Sequence, residues 1–580
     1  MDKPSPIEDK NLRYDCFPKP GYKDKHLPAM GWNSWNAFGS GNTEELTKAM
    51  VIKIKELGLD KIGYEYIVLD DGCYRPERVN GRLCPDEVKF PSGFKSLSDY
   101  IHKEGLKFGM YNDIGPRLCS GAEVGITGHE TEDCEDYVRW GIDFIKVDNC
   151  YYLWDNATFS SPENARFTFA PNIKSIMVDG ISYGADKAVI TGRCAEYKDG
   201  YITGIGTFDG TAPDHTPVGL QSSEAVFGIL SDKDRTAELR VLYATGQEEG
   251  VGEWLQVAIG DTVFYDDLLR ETPGKEDFTW SDTIRIDLKK GRNLIRIMNH
   301  RRQENTLDSY TRIRRALEAA GGTDILFSIC EWGKTQPQDW GHKVGDSWRI
   351  LNDICFQVGS DGTSGTASWD DDYTLSITSQ YNKAVIMDEF SGLDKGWNDP
   401  DMLVIGMDGI DDIMERSHMA MWCMLNAPLM LGLDLRNVSR EDNIFRIISN
   451  KELIMLDQDP LGVQAKRIFT TAECERPDKD YIRDIRRIDV LAKPLADDSI
   501  ALGFFNIDKV RKDEVPVITT DLILSATGHK MVNKDLLEKG TSFLIKDLYT
   551  GEEIRSSSRS FTCGPLEACD SKILRITPLP

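Results

Sequence analysis

The stretch FIKVDNC (144–150) is a short β-rich run that carries a lysine and an aspartate two positions apart, Lys146 and Asp148. Successive side chains on a strand point to opposite faces, so these two charges share a face of a segment that is otherwise apolar. A buried strand with opposite charges on one face needs a structural or a chemical reason. Working outward, KFGMYND (107–113) reads as the preceding strand. It follows a helical pattern through Phe94, Leu97 and Ile101 that stops near Gly105. YIVLDDG (66–72) reads as an earlier strand and MGWNSW (30–35) as the first. Between those two, Leu46, Ala49, Met50, Ile54 and Leu57 fall on one helical face. Asn42, with Glu45 three residues on, predicts the start of that helix, and Gly58 predicts its end. Short strands alternating with amphipathic helices argue for a parallel sheet, most simply a (β/α)8 barrel, whose first half spans 1–155.

The alternation stops after that point. From 156 to 305 the chain is rich in strands, as in AELRVLYATG, EWLQVAIGDTVFYDD and TIRIDLKKGRNLIRIMN, the last a hairpin pattern around Lys-Lys-Gly-Arg. About 150 such residues inside a βα series predict an inserted β-sandwich and not one long loop. The barrel pattern resumes at LDSYTRIRRALEAAGGTDILFSICEW and runs through WRILNDI, KAVIMDEF and APLMLGLDL, giving a second barrel half at 306–461. Hairpin and strand patterns then return, and 462–580 reads as a C-terminal antiparallel β-sandwich. The expected architecture is thus α/β: a TIM barrel with an inserted, jelly-roll-like β-sandwich module and a C-terminal β-sandwich domain.

Composition narrows the partners. A formal charge of −26 disfavours nucleic acid and anionic membrane, which need clustered Lys and Arg, but suits a neutral substrate such as a sugar. No apolar run is long enough to cross a membrane; the nearest, MAMWCMLNAPLMLGL (419–433), is broken by Asn426 and Pro428. The N-terminal MDKPSPIEDKNLRYD lacks the apolar core of a secretory signal. A cytoplasmic protein is the expectation, or a secreted one if the sequence begins after a removed signal. A homo-oligomer is left open. The 13 cysteines are an odd count without zinc-type CxxC spacing, so no zinc site is expected. WDDDYT (369–374) has the clustered acids of a calcium loop, but acids in a polar loop are more often simply solvated.

Active sites of such barrels lie at the carboxyl ends of the strands. The residues at or just after the expected strand ends are Trp35, Asp70, Asp71, Tyr111, Lys146, Asp148, Glu331, Arg349, Asp353 and Asp401. Any one of these acids alone reads as a helix cap or a loop carboxylate. Together they form a ring, which suits either a hard cation or a sugar. The aromatic Trp35, Tyr111 and Trp332, with an ammonium at Lys146, favour the sugar, since aromatic faces stack on pyranose C–H bonds and a lysine repels a metal. A nucleophilic aspartate must be ionised, and Lys146 is expected to lower the pKa of Asp148. Its partner acid must hold a proton, and Asp353 is expected to be kept protonated by the charge of Asp148.

The ordered motifs MGWNSW, VLDDGCY, MYNDIG, IKVDNC, SICEW, SWRILNDI and GWNDPDML resemble glycoside hydrolase family 27, the α-galactosidases (melibiases) and related α-N-acetylgalactosaminidases. The resemblance implies a retaining exo-glycosidase that removes terminal α-D-galactosyl residues through a covalent intermediate, needing no cofactor and no metal. It implies Asp148 as nucleophile and Asp353 as acid/base. By the same matching, Asp70 and Asp71 hold the O4 and O6 side of galactose, Lys146 reaches O3 and O4, and Glu331 and Arg349 face O2. Trp35 stacks, while Tyr111 and Asp401 complete the wall. A carboxylate at Glu331 accepts from a 2-hydroxyl but crowds an N-acetyl group, and the Asp70–Asp71 pair suits a 6-hydroxyl. An α-galactoside oligosaccharide or glycan is therefore the expected substrate, ahead of a β-L-arabinopyranoside or an α-N-acetylgalactosaminide. A glycan-binding protein without turnover has no use for a nucleophile beside a lysine.

The sequence also departs from the family pattern. The first loop, FGSGNTEE, has no cysteine, and Cys73 sits where it could pair instead with Cys84. The resemblance implies a disulfide between Cys119 and Cys150. The insertion, through GYITGIGTFDGT, the Y-A-T-G turn and GRNLIRIMN, vaguely resembles jelly-roll carbohydrate-binding modules. Because it follows the strand of Asp148 it is expected to overhang the active-site mouth, as a subsite or as a packing domain.

Overall fold

The structure is a computed structural model that describes residues 26–150, 171–191, 195–205, 224–245, 254–260, 262–298, 302–355, 365–371 and 375–579. Eight parallel strands run in the order expected of a barrel: β1 (Met30–Asn33), β2 (Tyr66–Val68), β3 (Lys107–Asp113), β4 (Phe144–Asp148), β5 (Leu326–Cys330), β6 (Ser347–Arg349), β7 (Trp397–Asp399) and β8 (Leu429–Leu431). β8 pairs with β1. On the other side, Leu403, just past β7, donates its N–H to the Met430 carbonyl at 2.8 Å and accepts from Gly432 at 3.1 Å, which closes the ring.

The two faces of each strand go to different cores. Tyr66, Val68, Phe144, Leu326, Met402 and Met430 form a compact cluster inside the barrel. Ile67, Phe108, Met110, Ile145, Val147, Phe327 and Ile329 join the large core shared with the surrounding helices. Glycine is required where the interior is tightest: a Cβ on Gly31 would lie 2.3 Å from the Tyr66 carbonyl, and one on Gly109 2.8 Å from a Val68 methyl. The period of two therefore puts Lys146 and Asp148 on the interior face, stacked above Phe144.

The helix expected from Asn42 begins one residue later. It spans Glu44–Leu57, capped by Thr43, whose hydroxyl accepts from Leu46 N at 3.2 Å, and ends on Gly58 in the left-handed region, as expected. The run KAVIMDEF is not a strand. It forms the end of the helix Ile377–Ala384 and the turns after it, because its apolar residues face the helical core, and β7 is supplied by WND further on.

The insertion is antiparallel in its described part, with a five-stranded and a seven-stranded sheet enclosing their own core of Ile173, Ile176, Phe227, Leu239, Val241, Leu255, Ile286 and Ile295. The C-terminal region differs from the sandwich expected. It has one six-stranded antiparallel sheet and only a two-stranded pair, with helices at Thr520–Thr527 and Lys534–Lys539. The two helices and the two-stranded pair cover one face of the six-stranded sheet, and the barrel covers the other. In Ile488–Pro494, the residues Ile488, Val490 and Ala492 face the helical side, whereas Leu491 packs into the barrel core. Asp489 faces the barrel too, accepting from Tyr381 Oη at 3.1 Å and pairing with Arg487 at 3.0 Å and Arg467 at 3.3 Å.

No helix of the described residues is long and apolar enough to cross a membrane. The N-terminal segment read for a signal, and residues 372–374 of WDDDYT, lie outside the described residues.

Candidate active site

The strand register assembles the site. β3 and β4 pair so that Tyr111 lies opposite Lys146 and Asp113 opposite Asp148, and β4 pairs with β5 so that Cys330 lies opposite Asp148. Asp70 and Asp71 follow β2, Glu331 follows β5, Arg349 ends β6 and Asp401 lies just past β7. These side chains are buried at one end of the barrel except Lys146, which is partly buried like Trp35 and Trp332.

Lys146 does not pair directly with Asp148. Its Nζ is 2.8 Å from Asp70 Oδ2, which also accepts from Asn33 Nδ2 at 2.8 Å, and it lies 5.5 Å from the centre of the Tyr111 ring. Asp148 accepts from Tyr111 Oη at 3.3 Å and from Asn149 N at 2.9 Å. Its pKa lies above the ordinary carboxylate range because burial outweighs the stabilising charge of Lys146 and the Asn149 hydrogen bond. The expected direction of the lysine's effect holds, but desolvation reverses the net shift.

Asp353 sits at the rim, with 28% of its side chain open, and contacts Arg349 Nη2 at 3.0 Å. Desolvation pushes its carboxyl up to about 6, aided by the charges of Asp401 and Asp148 and opposed by Arg349. Asp148 is thus a contributor and not the main cause. The same Nη2 lies 2.9 Å from Asp401 Oδ2, which in turn accepts from Ile354 N at 2.8 Å and so fixes the backbone beside Asp353. Asp401 has φ +78°, a left-handed conformation uncommon for a non-glycine residue, and such strain clusters at functional sites.

The remaining walls are equally braced. Asp71 accepts from Ser120 N at 2.6 Å and Ser120 Oγ at 2.9 Å, and burial raises it to about 6. Glu331 Oε2 accepts from Thr335 N and Oγ1, each at 2.8 Å. Trp332 has φ +59° and its ring lies 4.7 Å from Lys334 Nζ. The N–H of Trp35 donates to Asn33 Oδ1 at 2.9 Å, and Trp35 packs against the interior cluster.

Cys119 and Cys150 are joined, with Cα atoms 5.3 Å apart, tying the loop after β3 to the segment after Asp148. Cys73 and Cys84 do not pair; both are free thiols although hydrogen bonds run their backbones side by side. Asp113, Asp148 and the two bridged sulfurs lie within 4.8 Å of one another, but sulfurs bonded to each other offer no thiolate to a metal.

Residues 27–169 and 291–459 match the melibiase family, described as alpha galactosidase A. The chain belongs to glycoside hydrolase family 27. Curated members similar to it include the α-galactosidase of Cyamopsis tetragonoloba, 26% identical over 90% of this chain and 83% of that protein, and α-galactosidase A of Cellvibrio japonicus, 27% identical over 84% and 81%. Among solved structures, α-galactosidase I of Mortierella vinacea aligns at 22% identity over 95% of this chain and 97% of that one, with a TM-score of 0.58. That of Saccharomyces cerevisiae aligns at 19% identity over 97% and 100%, with a TM-score of 0.59. Both share the fold.

Within this family-27 chain, several supporting residues escaped the sequence reading. Asn33 and Asp113 end β1 and β3, so their position was a usable signal. Ser120, Lys334 and Thr335 lie in loops, where nothing in the sequence says which way a side chain turns.

Proposed function

We propose that this protein is a retaining exo-α-galactosidase in which Asp148 attacks the anomeric carbon and Asp353 first protonates the leaving oxygen and then deprotonates water. The observation that carries the reading is the pair itself: a buried carboxyl on β4 braced by Tyr111, Asn149 and the charge of Lys146, whose own charge helps to raise a rim carboxyl to about 6. A carboxyl with that pKa gives a proton near neutrality, and its exposure lets it meet a glycosidic oxygen. Asp148 is ionised when it attacks, and the positive charges of Lys146 and Arg349 favour that form.

In this reading Asp70 and Asp71 accept from hydroxyls on one side of the sugar, with Lys146 between Asp70 and Tyr111. Glu331, held by Thr335, and Arg349 face the 2-position, where a hydroxyl fits and an N-acetyl group crowds. The relatives named above are α-galactosidases, and a solved S. cerevisiae α-galactosidase was determined with raffinose. An oligosaccharide ending in an α-galactosyl residue is the substrate class we assign. The inserted sandwich is placed by chain order next to β4, and we assign it a role in contacting the rest of a longer substrate.

Nitrophenol release from nitrophenyl α-galactoside, compared with the β-L-arabinopyranoside and the α-N-acetylgalactosaminide, tests the reading. The galactoside is expected to turn over fastest, with α-galactose as the first-formed product by proton NMR. Faster turnover of either alternative would reassign the substrate, and none on all three would favour a binding protein.

A further inference from the structure

The two peptide groups that follow Asp148 are pinned at both ends. In the first, the Asp148 carbonyl accepts from Ile114 N at 2.9 Å and the Asn149 N–H donates to Asp148 Oδ1 at 2.9 Å. In the second, the Cys150 N–H donates to Asp113 Oδ2 at 2.6 Å and the Asn149 carbonyl accepts from Lys334 Nζ at 2.6 Å. Three of these four ties come from β3 and its loop or from Asp148 itself. Lys334 is the one that reaches across from the loop after β5.

Lys334 belongs to a turn that reaches the segment after Asp148, the loop of Asp353 and Glu331. Trp332 before it lies in the left-handed region, and its ring faces the Lys334 ammonium. Gly333, with φ +73°, approaches the loop of Asp353 so closely that a Cβ would lie 2.1 Å from the Ile350 carbonyl. Thr335 clamps Glu331. Lys334 itself is only 6% exposed. A buried ammonium costs desolvation energy, which the Asn149 carbonyl, the Trp332 ring and the nearby charge of Asp113 offset in part, and an apolar side chain of equal length would fill the volume without that cost. Stability alone does not account for the charge.

We propose that Lys334 is a positioning residue for the reaction. Its ammonium, held over Trp332, fixes the Asn149 carbonyl and thereby the peptide that donates to Asp148, so that the carboxylate stays aimed at the anomeric carbon. The inference rests on Asp148 being the nucleophile. It predicts a loss in the rate of the chemical step and little change in substrate affinity, because Lys334 acts through Asn149 and not on the sugar.

The test uses the full-length protein with Lys334→Met and Lys334→Arg, assayed on nitrophenyl α-galactoside alongside thermal unfolding. Lys334→Met is expected to lower kcat about tenfold with KM within about twofold, while Lys334→Arg, which keeps a cation and donors, recovers most of kcat. A Met variant with kcat within twofold of the wild type overturns the inference. So does equal loss in both variants accompanied by equal loss of Tm, which marks a packing role alone. A wild type inactive on this galactoside would instead overturn the proposed function on which the inference rests, a result distinguishable from either.

Discussion

Replacing Asp401 by asparagine removes one charge from the group that sets the proton affinity of Asp353. The exchange is nearly isosteric, and asparagine tolerates the left-handed conformation found there. Asp401 and Asp353 both contact Arg349 Nη2, at 2.9 and 3.0 Å, so their nearest oxygens lie within about 6 Å of each other. Two unit charges at that separation repel by roughly 3 kcal/mol at an effective dielectric of ~20, or about two pH units. Solvent at the rim, where Asp353 is 28% open, screens part of this and leaves about one unit. Freeing Arg349 to serve Asp353 alone acts in the same direction. Asp353 must be protonated to act first, so kcat/KM falls as pH rises through its pKa, about 6 in the native protein. In Asp401→Asn that alkaline limb is expected about one unit lower, measured as kcat/KM on nitrophenyl α-galactoside across pH. One of the N–H groups of Ile354 and Met402 loses its acceptor, so a lower Tm accompanies the change. A limb that stays in place or moves to higher pH would refute the assignment of Asp353 as the acid.

Asp148→Ala should cut hydrolysis by about 10⁴-fold or more, and azide should restore part of it with inverted product; undiminished turnover removes the mechanism. Asp489→Leu leaves the buried Arg467 and Arg487 without their shared carboxylate, and chemical denaturation should show a loss of about 3–5 kcal/mol. Changing both Cys119 and Cys150 to serine opens a bridge between residues 31 apart. Loop-closure entropy predicts a loss of about 3.7 kcal/mol, and release of the segment behind Asp148 predicts a lower kcat; both are read on one sample by Tm and turnover.

The barrel was legible in the chain because its strands and helices carry their own periods. Phe144, Lys146 and Asp148 announce one face of β4, and Leu46, Met50, Ile54 and Leu57 one face of a helix, before any contact is known. The ring of acids was legible for the same reason, since a barrel places every strand end at one rim. KAVIMDEF misled because a short apolar run does not distinguish a strand from the end of a helix. The C-terminal sheet kept its strands but not its expected partner layer, because what covers each face, here two helices with a two-stranded pair on one and the barrel on the other, is a long-range fact.

What the sequence by itself determined was the order of the elements and the kinds of side chain at the rim. The tertiary structure alone decided who pairs with whom. It gave Lys146 to Asp70, let burial override the lysine's pull on Asp148, and joined Asp353 and Asp401 to one nitrogen of Arg349. The physical reason is that charge interactions and desolvation depend on distance and burial in three dimensions, whereas spacing along a chain fixes only which face of an element a residue occupies.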